Sequence, residues 1–377
     1  MDQVWKQIPI EFQTEATRNT LDYVYTAIGH KCTFIIKQTE SLTQIIVNPK
    51  KISNHYRQFL PKTYKKNQHT RLLHCIVKEF KQTDTEGWGT LSLFKAYEHA
   101  GHTIPNGIYV VTPTDALIYR KNFKDPFYHV TGSSITPIRL KHPLLPILAW
   151  SGHKDYLDVP IANIDDMGYI LKERGVLDMS KVELDFSKKK PLAVFRGGST
   201  GCGWTPDSNP RLKAVKLSQA HPTLLDAQLT DITGSWKIHK TRRAGRINKS
   251  EFRLGSSMPF EHFSHYKYIL QLDGNVAAYR LARSMLLGST ILLQESGSIL
   301  WFQHLMKPWV HYVPIKDTLH DLIDQIEWCK KHESECKLMA EHARTLALKV
   351  LTKETLFEEL HHAIDESIKI ARNDGKI

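Results

Sequence analysis

The sequence predicts an α/β fold, two α/β halves followed by C-terminal helices, and three observations carry that expectation. Residues 190 to 315 read as strand, turn, helix, strand, the unit that builds a parallel sheet with helices on its faces. A similar but weaker pattern lies in the first half, around Ile108 to Val111. The chain is 377 residues long, about twice the usual single domain, which makes two domains sharing a cleft the starting expectation.

Taken in order, Ile108 to Val111 is a buried-strand run that empties into Thr112-Pro113-Thr114-Asp115, setting a carboxylate at a strand's carboxyl end. Pro191 to Phe195 is an apolar run ended by Gly197 and Gly198, and Tyr268 to Leu272 is another, ended by Asp273-Gly274. From Val276 to Leu287 the apolar positions Val276, Ala277, Leu281, Ala282, Met285 and Leu286 follow helical spacing; Asn275 is the expected N-cap and Gly288 the stop. Thr290 to Leu293 is a third apolar run. Asp317 is expected to cap an amphipathic helix with Leu319, Leu322, Ile323 and Ile326 on one face, and a last helix is expected from about Glu354 to Ala371. In such folds ligands sit outside the carboxyl ends of the strands.

Composition narrows the partners without choosing among them. Lys and Arg number 51 against 39 Asp and Glu, and the net charge of +12 favours anions. The basic residues are uneven: Lys237, Lys240, Arg242, Arg243, Arg246, Lys249 and Arg253 lie in one stretch with the single acid Glu251. That stretch reads as a long, mobile, positive loop, either a solvated surface or one that closes over an anionic ligand. Five scattered cysteines, Cys32, Cys75, Cys202, Cys329 and Cys336, contain no C-x-x-C pair, which argues against a disulfide framework or zinc site and for a reducing compartment. The start MDQVWKQIPIEF lacks a signal-peptide pattern, and the longest apolar stretch, Leu144 to Trp150, is interrupted by Pro146. The expectation is a soluble, cytoplasmic chain with no membrane span.

Two constellations could do chemistry. Phe195-Arg196-Gly197-Gly198-Ser199-Thr200-Gly201 follows a strand directly; its glycines let successive N–H groups and hydroxyls cradle a phosphate, and the same pattern also makes a tight turn. In Asp273-Gly274-Asn275-Val276-Ala277-Ala278-Tyr279-Arg280, a helix N-terminus with small residues in its first turn could face a ligand, with Arg280 clamping phosphate oxygens. An ordinary amphipathic helix with solvated Arg280 and Arg283 fits those residues as well.

In this order the two segments resemble glycosyltransferase family 90, the group of the Rumi-type protein O-glucosyltransferases and the fungal capsule-associated xylosyltransferases. The resemblance rests on FRGGSTG at 195–201, NPR at 209–211, LLDAQLT at 224–230, HYKYILQLDGNVAAYRLARSMLLGS at 265–289 and KPWVHYVPI at 307–315. It implies a GT-B fold of two Rossmann-like domains facing a central cleft: an acceptor-side domain over residues 1–180, a UDP-sugar domain over 181–345, and a C-terminal helix over 346–377 that packs back on the first domain. By match, Arg196, Gly197, Gly198, Ser199 and Thr200 lie in the donor loop, Arg211 resembles the arginine that meets the diphosphate, and Asn275, Val276, Ala277, Ala278, Tyr279 and Arg280 resemble the nucleotide-contacting stretch. IPNGIYVVTPTD at 104–115 looks like the segment that ends in the catalytic aspartate, here Asp115, and WSGHKDYLDVP at 150–160 like the one in which a tyrosine reaches the donor, here Tyr156. On residues alone Asp115 reads first as a turn or helix-capping residue, and only the family resemblance turns the reading to catalysis. The family commonly has an arginine before that aspartate, where this chain has Thr114.

The implied activity is inverting transfer of glucose or xylose from a UDP-sugar to a hydroxyl on a glycan or protein. No cofactor and no metal are expected, because the chain contains no Asp-x-Asp triplet to bridge an ion to the diphosphate. The alternative readings are a catalytically impaired UDP-sugar-binding protein of the same fold and a nucleic-acid-binding protein. The last lacks any helix-turn-helix, RNA-recognition or zinc signature.

Overall fold

The structure is a computed structural model that describes residues 1–24, 32–47, 90–112, 117, 143–171, 175–232, 237–238, 244–252 and 254–374. Asp115, Thr114, Cys75 and most of the basic stretch, including Lys240, Arg242, Arg243 and Arg253, lie outside the described residues. The chain divides into two compact units. The first runs to Asn163 and takes in the chain from Phe357 onward, and the second holds Ile164–Leu356.

The first unit contains helices α1 (Glu15–Tyr23) and α2 (Thr90–His99) and strands β1 (Cys32–Gln38), β2 (Ser41–Val47), β3 (Gly107–Thr112), β4 (Ile147–Ala149) and β5 (Val159–Pro160). They form a sheet of order β2-β1-β3-β4-β5. Here the Rossmann-like expectation needs correction, because β1 is antiparallel to both β2 and β3, and only β3, β4 and β5 run parallel. The cause is local: Gln38 pairs with Ser41, leaving a two-residue turn between β1 and β2, and so short a connection permits only antiparallel pairing. Leu21, Phe34, Val110 and Ile147 make the core of this unit.

The second unit holds α3 (Ile164–Ile170), β6 (Lys190–Gly198), α4 (Pro210–Ala220), β7 (Leu225–Asp231), β8 (Tyr266–Gln271), α5 (Leu281–Met285), β9 (Thr290–Glu295), β10 (Val313–Lys316), α6 (Leu322–Lys331) and α7 (Glu333–Val350). A final helix, α8 (Lys353–Asp374), carries the chain into the first unit. Strands β6 to β10 form one sheet of order β10-β9-β8-β6-β7, with every pairing parallel. Every residue of β8, and all of β9 but Glu295, is buried, the near-continuous apolar run of a strand covered on both faces. Phe195, Leu212, Leu270, Leu292, Val313 and Ile326 belong to one core.

The chain leaves β6 for β7 on one side, then returns to β8 on the other and continues outward through β9 and β10. That reversal is the topological switch point of a doubly wound sheet, where the loops leaving two adjacent strands diverge and open a crevice at their carboxyl ends. The loops concerned are those after β6 and β8, which carry FRGGSTG and the segment from Asp273.

Two local expectations are corrected. The helix read over Val276 to Leu287 is the single short turn α5, starting at Leu281 with Arg280 as its N-cap. Asn275 does not cap it: its side-chain Oδ1 accepts from the Gly201 N–H (3.1 Å), and the Gly274 N–H turns back onto the Val276 carbonyl (3.0 Å). Val276 and Ala277 are buried by that turn, which mimics the apolar spacing of a helix face. Asp317 likewise caps no helix. Its carbonyl and carboxylate both accept from Gln294 Nε2 (3.0 and 2.9 Å), and α6 begins later, at Leu322.

Candidate functional site

Strand β6 ends with side chains sent to two different tasks. Phe195 is fully buried in the core. Arg196 pairs with Asp226 of β7: its Nη2 donates to Asp226 Oδ2 (2.8 Å) and its Nη1 to the Asp226 carbonyl (2.7 Å). The Tyr266 hydroxyl donates to the same Oδ2 (3.0 Å) and Gln228 Nε2 to Oδ1 (2.9 Å). Burial pushes the Asp226 carboxyl up, but the hydrogen bond and charge of Arg196, with Tyr266 and Gln228, outweigh it and hold the group below the ordinary carboxylate value. Arg196 is therefore an engaged arginine, and its carboxylate partner was not among the residues singled out from the sequence.

The loop after β6 is built for close approach. Gly201 has φ +98°, a conformation glycine adopts without strain, and a Cβ there would come within 3.0 Å of the Gly274 carbonyl. Ser199 is buried, with its N–H on the Asp231 carbonyl (3.0 Å). Asn209 caps α4 by accepting from the N–H groups of Arg211 (3.0 Å) and Leu212 (3.2 Å), while its Nδ2 donates back to the Thr200 carbonyl (3.2 Å). Arg211, the first residue after Pro210 in α4, reaches across: Nη1 donates to the Gly198 carbonyl (3.0 Å), Nη2 to Leu272 (3.0 Å) and Nε to Asp273 (2.8 Å). Arg211 and Asn275 thus tie the loops after β6 and β8 together across the switch point.

Arg280 is of a different kind. Its Nη1 donates to the Arg196 carbonyl (2.6 Å), and its guanidinium lies over the rings of Phe195 (5.3 Å) and Phe263 (5.6 Å). No carboxylate pairs with it among the described residues. Burial first, then the like charges of Arg211 and Arg283, push it down to about 9. An arginine stays protonated at ordinary pH, and the direction of that shift says that burial and the neighbouring cations oppose its charge. Arg283, by contrast, has an acid: its Nη2 donates to Asp165 Oδ2 (3.1 Å). Asp273, at the end of β8, has its carboxyl raised by burial, against the lowering effect of hydrogen bonds from Ser296 and Ser298.

The site residues proposed from the sequence therefore separate. Gly197, Gly198, Ser199, Thr200, Arg211, Asn275, Val276, Ala277, Ala278, Tyr279 and Arg280 lie on the two switch-point loops or beside them, with Ala278 and Tyr279 half-buried ahead of α5. Tyr156 belongs to the first unit, buried, with its ring edge-on to His153 at 5.5 Å. With α5 only five residues long, little helix dipole is available, and the charge at the crevice comes from side chains. Sequence reasoning missed the rings of Phe195 and Phe263. The available signal was an aromatic residue directly before Arg196 and a pair, Phe260 and Phe263, three apart before β8.

Among the described residues no helix is long and apolar enough to cross a membrane, and no group of three or more His, Cys, Asp or Glu gathers as a metal site would require. Among the described residues Cys32, Cys329 and Cys336 are buried free thiols.

Comparison with known proteins gives a match to the family model described as Glycosyl transferase family 90 over residues 134–375. The chain is 33% identical over 231 residues to uncharacterized protein 035R of Invertebrate iridescent virus 3, covering 59% of this chain and 21% of that one. It is 32% identical over 219 residues to protein O-glucosyltransferase 3 of Homo sapiens, covering 56% of this chain and 40% of that one. With protein O-glucosyltransferase 2 of Danio rerio it shares 30% identity over 243 residues, 62% of this chain and 44% of that one. The matched region thus spans less than half the length of each of these relatives.

Proposed function

The chain belongs to glycosyl transferase family 90, whose model matches well over half of it, and on that premise we propose that it transfers glucose or xylose from a UDP-sugar to a hydroxyl of a glycan or protein. The observation that carries the reading is Arg280, a half-buried guanidinium at the switch point with aromatic rings, and no acid among the described residues, beside it. Such a cation gains most from a ligand that brings negative charge, and a sugar nucleotide brings a diphosphate. The names of the relatives from Homo sapiens and Danio rerio, protein O-glucosyltransferases, support glucose as the sugar and a protein as the acceptor.

In the mechanism, Asp115 takes the proton of the acceptor hydroxyl, the freed oxygen bonds to the anomeric carbon from the face opposite the leaving group, and the bond from that carbon to the diphosphate oxygen breaks. The electron pair departs with UDP, and the configuration inverts. The Arg280 guanidinium holds the charge that grows on the diphosphate, in the manner of an oxyanion site. Cationic side chains supply that charge compensation, so the reaction proceeds without a metal. The GT-B arrangement, with acceptor and donor on opposite domains, is part of the same proposal.

The test is a panel of UDP-sugars read by thermal shift, followed by sugar release from the best of them with and without a chelator. A stabilising UDP-sugar that is consumed in the presence of chelator supports the reading. Activity that disappears with chelator and returns with manganese removes the metal-free mechanism, and a chain that no UDP-sugar stabilises removes the donor assignment.

A further inference from the structure

Three guanidinium groups and three rings of the second unit form one continuous series through the switch point. The Arg211 guanidinium lies 5.6 Å from the Phe195 ring, Arg280 lies 5.3 Å from that ring and 5.6 Å from Phe263, the rings of Phe263 and Phe260 are 5.6 Å apart, and Arg283 lies 5.2 Å from Phe260. The two ends of the series have oxygen partners: Arg211 donates to three backbone carbonyls, and Arg283 to the Asp165 carboxylate. Only the middle guanidinium, Arg280, is held chiefly by ring faces, with one hydrogen bond to the Arg196 carbonyl.

A carboxylate beside Arg280 would orient it but also neutralise it and compete with an anionic ligand. A ring face orients a guanidinium through the ring quadrupole and leaves its net charge and its N–H edge available. Close packing enforces the arrangement on one side: a Cβ at Gly197 would meet the Phe195 ring at 3.0 Å and Arg211 Nη1 at 3.4 Å, so this end of β6 admits no larger residue without moving the ring. Resting on the proposed function, we infer that Phe263, together with Phe195, is a positioning residue that clamps Arg280 by its faces so that the guanidinium stays charged and oriented toward the diphosphate of the bound nucleotide.

Phe263 is the ring to test: both rings are buried, but Phe195 is fully buried in the cluster beneath the parallel sheet, to which Phe263 does not belong. Calorimetry with UDP and with uridine, which lacks the phosphates, separates the clamp from general packing. Phe263→Met keeps apolar bulk without a ring face and should weaken UDP binding about three- to thirtyfold, leave uridine binding at the wild-type level, and be rescued by Phe263→Tyr. Wild-type UDP affinity in Phe263→Met, or an equal loss of uridine and UDP, overturns the inference. Arg280→Ala in the same series separates the two layers of argument. If it leaves UDP affinity unchanged, the donor assignment itself is wrong; if it weakens UDP while Phe263→Met does not, only the clamp fails. Should Phe263→Met fail to fold, fluorinated phenylalanines at position 263 keep the ring's shape while withdrawing charge from its face. UDP affinity must then fall stepwise with fluorination, and a flat series overturns the inference.

Discussion

At the carboxyl ends of the second unit's strands the charged side chains that stand out are Arg196 closing β6 and Arg280 beyond β8, with Arg211 spanning both loops, whereas in the first unit β3 ends on Thr112 and β4 runs into Trp150 and Ser151. Thr112 Oγ1 is buried there without a hydrogen-bond partner among the described residues. The switch point of the parallel sheet brings together arginines suited to a diphosphate, whereas the described residues at the ends of β3 and β4 in the mixed sheet of the first unit are neutral. On the proposed reading, the contrast teaches that binding an anion takes more than arginines near a strand end: it takes one that no carboxylate pairs with among the described residues. Arg196 and Arg280 share a hydrogen bond, yet the first is matched to Asp226 and the second to two rings.

The largest effect that could break this contrast belongs to the first unit. Asp115→Asn should lower turnover by about 10² to 10⁴, the usual contribution of a general base, while UDP affinity and melting temperature stay near wild type. Wild-type turnover in a variant that melts normally removes Asp115 from the mechanism. It would then turn attention to Asp155, which is exposed, ahead of Asp158, which is buried.

Next in size is the middle of the arginine series. Arg280→Ala should weaken UDP binding by about ten- to a hundredfold, the worth of a charge-assisted hydrogen bond. Because it removes a half-buried charge that no carboxylate offsets among the described residues, it should not lower the melting temperature. Arg196→Met should reverse the pattern, costing about 1–3 kcal/mol of stability by leaving Asp226 short of its cation while changing UDP affinity little. Calorimetry and thermal melts on the pair sharpen the comparison, and equal losses of UDP affinity in both would erase it.

The smallest effect is on acid sensitivity. Asp226 titrates below its ordinary value in the folded chain, so its contribution to stability is fully present above the unfolded value of about 3.9 and is lost as pH falls through the lower folded value. Asp226→Asn should therefore melt below wild type at neutral pH, with the gap closing as the pH is taken under about 4. A gap that stays constant to low pH would show that the Asp226 charge is not what Arg196 needs.

Much of this was legible in the order of residues. The runs ending at Phe195, Leu272 and Leu293 are strands, the segments after the first two meet at one crevice, and the family resemblance carried by FRGGSTG and the 265–289 segment is matched by the family model over 134–375. These are local signals, because buried strands must be apolar and turns require small residues. What the tertiary structure alone decided is which polar groups meet. Arg196 finds Asp226 thirty residues later only because β6 and β7 are neighbours with Val194 beside Asp226, and Asn275 serves Gly201 rather than a helix because the switch point brings two loops together. The β1–β2 hairpin that makes the first sheet mixed is likewise a matter of pairing. Periodicity extends over a few residues, whereas hydrogen-bond and ring partners are chosen by sheet order and register across the whole unit, and it is that choice which sets Arg280 between two rings, with no acid beside it among the described residues.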